Sequence, residues 1–182
     1  MNIVILSGSP RKGGNTQQLA QAFAQGAVVA GHQVEHFDTA AMNIAPCAAC
    51  YHCRQEQTAG GCLVQDDMAQ IYQAVNEAEL LVLATPLYYF GFSAQIKTAI
   101  DRLFAINESL KGSGSVKRMM LLAVCGDEEV RAMDGLVENY RLICDYLGLE
   151  NLGEMLAIGV YDKGEIAGHP ALQDAFDKAA SL

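Results

Sequence analysis

The sequence has no tryptophan and little positive charge: 12 Lys and Arg stand against 21 Asp and Glu, a formal net charge of −9. A phosphate backbone repels such a chain, so we expect no nucleic-acid partner. No apolar run approaches the roughly 20 residues that a membrane helix needs. The longest candidate, residues 78–92, is interrupted by Pro86, so we expect no membrane partner.

Cysteine is also too scarce for a disulfide scaffold, because the chain has 6 in 182 residues. The start does not resemble a targeting segment, since the apolar run at residues 3–6 is short and Gly8 and Pro10 follow it. We therefore expect a cytoplasmic protein whose cysteines are thiols, metal ligands or redox groups. The length and composition predict one folded domain over residues 1–182.

Short apolar runs alternate with helical periodicity along the chain. The predicted strands cover residues 3–6, 33–37, 80–83, 119–124 and 155–160. The predicted helices begin near Asn15, Asp66 or Asp67, Ser93, Asp127 and Pro170, and residues 111–115 are predicted to be a loop. Repeated strand–helix units predict a parallel sheet with helices on both faces. Right-handed crossovers favour a doubly wound, three-layer αβα domain with strand order 2-1-3-4-5.

Ligands of such folds bind beyond the carboxyl ends of the strands, where the strand order reverses. Three predicted loops leave those ends, at residues 7–16, 85–93 and 125–129. The last of them begins at Cys125, which we interpret as a small buried residue facing the ligand region.

The loop at residues 7–16 combines glycines, hydroxyls, an amide and two cations before a helix start. Backbone N–H groups of such a loop turn inward and predict an anion cradle. It is not a Walker A loop, because Gly13 is followed by Gly14 and Asn15, and Pro10 breaks the dinucleotide glycine pattern. A terminal phosphate monoester, as in FMN, fits better than a pyrophosphate. The alternative is a polar loop that only caps a helix.

The loop at residues 85–93 carries four aromatic residues: Tyr88, Tyr89, Phe90 and Phe92. Rings clustered at a binding edge predict a flat apolar ligand. Phe90 and Phe92 have an alternative place under the loop or in a dimer interface. The ligand prediction therefore depends on Leu87, Tyr88 and Tyr89.

Together, residues 8–16 and 85–102 resemble the NAD(P)H-dependent FMN reductases of the flavodoxin-like superfamily. The resemblance implies a flavodoxin-like fold, bound FMN, NAD(P)H as co-substrate, and a homodimer or homotetramer with the flavin near the subunit interface. It implies that the phosphate is held by Ser9, Arg11, Asn15, Thr16 and Gln17. It implies that the ribityl chain and ring are lined by Pro86, Leu87, Tyr88 and Tyr89.

The function implied by the resemblance is hydride transfer from nicotinamide to flavin N5, and then to a quinone, nitro, azo or flavin-type small-molecule acceptor. The flavin carries this chemistry, so we predict no catalytic side chain. One rival is an electron carrier for a basic protein partner, which the acidic charge would suit. Another is a non-catalytic module that holds a different phosphorylated ligand.

A cysteine motif stands apart from these loops: Cys47-x-x-Cys50-x-x-Cys53, followed by Cys62. It resembles the motif of the iron–sulfur flavoproteins in the same superfamily, which implies a [4Fe–4S] cluster on these four thiolates. The interval from Cys53 to Cys62 is longer than is usual in those proteins. Unmetallated thiols, a zinc site and a disulfide remain alternatives.

Overall fold

The computed structural model describes residues 1–55 and 61–182. A five-stranded sheet lies at its centre, formed by β1 (Asn2–Ser7), β2 (Gln33–Asp38), β3 (Leu80–Pro86), β4 (Arg118–Val124) and β5 (Glu150–Ala157). All neighbouring strands are parallel, and their order is β2-β1-β3-β4-β5. The predicted flavodoxin-like topology is confirmed.

In the described part of the chain, four α-helices connect the strands and a fifth follows β5: α1 (Asn15–Val29), α2 (Met68–Glu77), α3 (Ala94–Arg102), α4 (Asp134–Leu147) and α5 (Pro170–Ala180). Short 3₁₀ turns cover His52–Arg54, Leu103–Ile106 and Val130–Met133. No helix within the described residues is long and apolar enough to cross a bilayer.

Three predicted boundaries are wrong, those of one loop, one helix and, as described below, the fifth strand. Residues 109–113 form a π turn where a loop over 111–115 was expected, because the Gly114 N–H reaches back to the Ser109 carbonyl at 2.7 Å. The helix expected to begin at Asp127 begins at Asp134. The Asp127 carboxylate accepts from the Glu129 N–H instead, and the 3₁₀ turn intervenes.

The core lies on both faces of the sheet. Leu19 and Phe23 of α1 and Ala175 of α5 pack on one face, while α2, α3 and α4 cover the other. The backbones of α1 and α5 are close, since a methyl group on Gly26 would lie 2.1 Å from the Phe176 carbonyl oxygen. Burial from both sides explains why the inner strands β1, β3 and β4 are nearly continuous apolar runs.

The fifth strand was predicted at residues 155–160 and lies at Glu150–Ala157. It is an edge strand, and its register against β4 shifts between Met119 and Leu121. Gly153 has φ = 112°, a value that suits glycine at such an irregularity. Because β5 ends early, Val160 lies in a fourth loop at the carboxyl edge, residues 158–169.

Candidate functional site

Four loops meet at the carboxyl edge of the sheet around a cavity of about 300 Å³. Seven of the nine residues predicted to bind FMN line it: Ser9, Arg11, Asn15, Thr16, Pro86, Leu87 and Tyr88. The later loops add Val124, Cys125, Gly126, Val160 and Tyr161. Gln17 and Tyr89 are not part of this cavity lining. The first and third crossover loops therefore lie on the same side of the molecule, as expected, while the binding role of each residue stays a prediction.

Gly8 joins the first loop to the third. Its N–H donates to the Ala84 carbonyl at 2.9 Å, and its own carbonyl accepts the Ser93 hydroxyl at 2.7 Å. Ser93 stands at the N-cap of α3 yet makes no side-chain cap bond there. A methyl group on Gly8 would lie 2.6 Å from both Ile96 Cβ and Ser93 Oγ. The two loops can approach this closely because residue 8 has no side chain.

The start of α1 provides donors without a built-in acceptor. Its N-cap is Gly14, which has no side chain to cap the helix, and the first N–H groups of any α-helix lack intrahelical partners. The buried Ser9 and Thr16 and the guanidinium of Arg11 stand beside these N–H groups at the cavity. The helix dipole adds a partial positive charge. This donor set fits a phosphate group.

Asn15 is engaged with the protein itself. Its Nδ2 donates to the Asp162 carbonyl at 2.9 Å and the Val160 carbonyl at 3.5 Å. Its Oδ1 accepts from the N–H groups of Gly164 at 2.9 Å and Ile166 at 3.5 Å. The side chain thus ties the start of α1 to the loop after β5.

Arg11 and Gln17 also hold loops together. The Arg11 Nη1 donates to the Tyr161 carbonyl at 2.7 Å, and the guanidinium lies 5.7 Å from the centre of the Tyr161 ring. Gln17 Oε1 accepts from the Gly13 N–H at 2.5 Å. Lys163 adds a cation beside Gly13, since a methyl group on that glycine would lie 3.4 Å from the lysine Cε. Positive charge is therefore concentrated at the first loop of an acidic chain.

The aromatic loop contains a tight reverse turn. Tyr88 and Gly91 exchange both backbone hydrogen bonds, each at 3.1 Å, and the residues between them have positive φ: 47° at Tyr89 and 61° at Phe90. Two consecutive left-handed residues form a type I′ turn, which favours Asn-Gly over aromatic residues. Both rings are exposed, so Phe90 does not pack under the loop. Phe92 is partly buried against the core.

A second, open cavity of about 500 Å³ adjoins the first. Tyr89 and Phe90 line it, and the two cavities share Leu87, Cys125, Gly126 and Tyr161. Burial raises the pKa of the Cys125 thiol, so this side chain stays neutral between the cavities. Sequence reasoning missed Tyr161 and Val160, because the misplaced fifth strand hid their loop. Val160 and Tyr161 follow the last strand closely, and this position could have indicated that they lie at the carboxyl edge of the sheet.

The four clustered cysteines line a separate cavity of about 340 Å³, together with Tyr51, Arg102 and Phe104. Cys47 and Cys50 are exposed, and Cys53 and Cys62 are half-buried. Burial raises the pKa of the Cys53 thiol, and the nearby sulfurs of Cys62 and Cys47 raise it further.

Within residues 1–55 and 61–182, no three His, Cys, Asp or Glu side chains are placed so that they could hold a metal ion. A zinc ion would need its four thiolates within roughly 4 Å of one another, because Zn–S bonds are about 2.3 Å long. All six cysteines are free thiols. A metal site or cluster on these four cysteines stays a prediction.

Comparison with known proteins gives a family match and several relatives. The sequence profile of the family described as NADPH-dependent FMN reductase matches residues 1–161. YwqN of Bacillus subtilis, named for an NAD(P)H-dependent FMN-containing oxidoreductase, is 29% identical over 180 residues, which cover 96% of this chain and 94% of that protein.

An iron-sulfur flavoprotein of Archaeoglobus fulgidus is 33% identical over 132 residues, which cover 71% of this chain and 59% of that protein. The matches span only 51% to 59% of the length of three such relatives. Among solved structures, an NAD(P)H:quinone oxidoreductase from Methanothermobacter marburgensis has a TM-score of 0.80 at 20% identity, covering 100% of this chain and 96% of that one. At 20% identity this comparison shows that the two proteins share a fold.

Proposed function

The chain belongs to the NADPH-dependent FMN reductase family, and from this premise we propose that it transfers hydride from NAD(P)H to FMN and on to a small planar acceptor of the quinone, nitro, azo or flavin type. The observation that carries the proposal is the meeting of the first and third crossover loops around one cavity. Apolar residues and hydrogen-bond donors suited to a phosphate line this cavity together.

The residues divide into binding and positioning roles. The first N–H groups of α1, the hydroxyls of Ser9 and Thr16 and the guanidinium of Arg11 would hold the phosphate. Asn15 and Gln17 would keep the surrounding loops in place, because both side chains are already hydrogen bonded within the protein.

The apolar wall would hold the rest of the cofactor. Pro86, Leu87 and Tyr88 would line its ribityl chain and ring. When bound, FMN supplies the two-electron chemistry, so the protein needs to contribute orientation and electrostatics.

The class of acceptor follows from the open cavity. Tyr89, Phe90 and Tyr161 surround it with exposed aromatic surface, and Asp127 is its one charged lining residue within the described part of the chain. Flat aromatic molecules stack on such rings, whereas a compact anion finds no partner there. Nicotinamide and the acceptor would use this face in turn.

A visible spectrum of the purified protein tests this function. We expect flavin absorbance, about one FMN per chain after addition of FMN, and rapid anaerobic bleaching by NADPH or NADH. A protein that takes up no FMN would contradict the proposal. A protein that takes up FMN but is not bleached by either nucleotide would contradict the reductase activity alone.

The strained turn gives a prediction with opposite effects on stability and turnover. Changing Tyr89→Asn and Phe90→Gly together should raise the free energy of unfolding by about 1 to 2 kcal/mol, because Asn-Gly suits a type I′ turn. Turnover with a quinone should fall, since the aromatic rim is lost. Urea unfolding and steady-state kinetics measure the two effects. The control is Leu142→Gln, which removes an exposed apolar side chain from α4. Unchanged turnover in the double variant would show that the rings of Tyr89 and Phe90 do not take part in acceptor binding.

A second candidate function is an electron carrier with an iron–sulfur cluster. It is supported by the four cysteines around one cavity and by the relatives named iron-sulfur flavoproteins. Cys47, Cys50, Cys53 and Cys62 would be the ligands of a [4Fe–4S] cluster. Anaerobic purification should then yield about four iron and four sulfide per chain. Iron and sulfide near zero after anaerobic reconstitution would contradict this candidate and leave the reductase proposal standing.

We further propose a homodimer or homotetramer in a reducing compartment such as the cytoplasm. Exposed aromatic surface at Tyr89 and Phe90 supports self-association, and free, exposed thiols at Cys47 and Cys50 support reducing surroundings. Light scattering of the FMN-loaded protein tests the assembly, and a monomeric mass at micromolar concentration would contradict it.

A further inference from the structure

Among the described residues, the largest side chain that is fully buried is that of Arg102, the last residue of α3. The side chain is 1% exposed, and that of its ion-pair partner Asp66 is 5% exposed. Arg102 also lines the cysteine cavity. An arginine in this position needs many partners, since burial of an unpaired charge is strongly unfavourable.

The guanidinium uses all three of its nitrogens. Nη1 donates to Asp66 Oδ2 at 2.9 Å and to the Ala45 carbonyl at 2.8 Å. Nη2 donates to Asp66 Oδ1 at 3.2 Å and to the Val64 carbonyl at 3.3 Å. Nε donates to the Tyr72 hydroxyl at 3.3 Å. The ion pair with Asp66 accounts for two of these five contacts, so the carbonyl contacts need a separate explanation.

The two carbonyls flank the cysteines. Ala45 lies two residues before Cys47, and Val64 lies two residues after Cys62. One guanidinium therefore fastens both ends of what we call the cysteine segment, residues 45–55 and 61–64. Asp66 also holds the Ala45 end of this segment, because its Oδ2 accepts from the Ala45 N–H at 2.9 Å.

We propose that Arg102 is the positioning residue of the cysteine segment: it holds the arm carrying Cys47, Cys50 and Cys53 at a fixed separation from the arm carrying Cys62. Four thiols held at a fixed separation suit a thiolate-bound ligand wider than one ion, with iron and sulfide as its chemistry. The ligand part rests on the second candidate function proposed above, while the positioning of the thiols does not.

The geometry explains why the residue is arginine. A planar fork of five N–H donors serves a carboxylate and two carbonyls at once, whereas the single ammonium of lysine does not span them. Arg102→Lys therefore keeps the positive charge but cannot make the hydrogen bonds to both the Ala45 and the Val64 carbonyl. The pair Arg102→Met with Asp66→Asn removes both charges, so that no unpaired charge is left in the interior. The matched control is Arg141→Lys, whose pair with Glu154 is on the surface.

Two readouts test the proposal on the FMN-loaded protein. The first is the rate of alkylation by iodoacetamide at each cysteine, followed by mass spectrometry, with the buried Cys125 and Cys144 as internal references. The second is iron retained after anaerobic reconstitution with ferrous iron and sulfide. In Arg102→Lys we expect several-fold faster alkylation of Cys53 and Cys62, unchanged references and unchanged FMN content. Iron affinity should fall about 10- to 100-fold, as for loss of an outer-shell partner.

The outcomes separate the two proposals. Wild-type rates and iron content in both the lysine variant and the double variant would overturn the positioning role. Equal acceleration at Cys125 and Cys144 would also overturn it, because the whole fold would then have loosened. If the wild-type protein retains no iron, the cluster proposal fails, and the alkylation rates alone decide the role of Arg102. If the lysine variant does not fold, the double variant supplies the same comparison.

Discussion

Gly8→Ala should remove FMN from the protein and lower its free energy of unfolding by about 1 to 3 kcal/mol, the usual range for overpacking a core. The new methyl group would lie 2.6 Å from Ile96 Cβ and from Ser93 Oγ. Ile96 is fully buried on α3 and has no room to retreat. The backbone of residue 8 is also fixed, because Ala84 and Ser93 hold its N–H and its carbonyl. The two loops must therefore separate, and the phosphate cradle separates with them from its apolar wall.

The measurements for this variant are urea unfolding and the FMN content after purification. Gly112→Ala is the matched control, since nothing lies within 4 Å of a methyl group at that exposed glycine. We expect the control to retain FMN at the wild-type level. A Gly8→Ala protein with full FMN occupancy and unchanged stability would show that the junction between the loops does not build the site.

Asn15→Ala should cost about 2 to 3 kcal/mol of folding stability in the absence of FMN, since it removes four hydrogen bonds from a buried side chain. The loop after β5 would lose its attachment to α1, and FMN affinity would fall as an indirect result. Thr16→Ala is the comparison. It should weaken FMN binding by about 1.5 to 3 kcal/mol, which is what a hydrogen bond to a charged group contributes. The stability of the apoprotein should change little.

These two neighbours therefore separate positioning from binding. Unfolding of the apoprotein and titration with FMN measure both effects for each variant. If Asn15→Ala leaves apoprotein stability unchanged and weakens FMN binding as much as Thr16→Ala does, then Asn15 acts as a direct ligand. That result would support the phosphate-binding role that the sequence resemblance implies for Asn15.

The inner strands could be predicted from the sequence because their burial on both faces leaves a pattern in a few consecutive residues. β1, β3 and β4 are buried on both faces, so their residues form short apolar runs bounded by turn residues. The edge strand β5 obeys no such rule. Its residues alternate irregularly around Gly153, and the apolar residues that follow it belong to a loop.

The candidate site was predictable to the extent that its residues follow strand ends. Ser9, Thr16, Leu87 and Tyr88 reached the cavity because the topology brings those ends together. The roles of Asn15 and Arg102 depend on partners far away in the chain. Asn15 contacts the loop about 150 residues later, and Arg102 bonds carbonyls 57 and 38 residues earlier. No local pattern marks such contacts, because side-chain hydrogen bonds to distant backbone groups have no periodicity.

Our central claim is that the phosphate cradle and the aromatic loop hold one molecule of FMN. The most direct test is the affinity of the flavin-free protein for FMN compared with riboflavin, which lacks the phosphate. We predict that FMN binds at least about 100-fold more tightly, equivalent to roughly 2.7 kcal/mol, and that replacing Ser9 and Thr16 by alanine removes most of this preference. Equal affinity of the wild-type protein for the two flavins would contradict the claim.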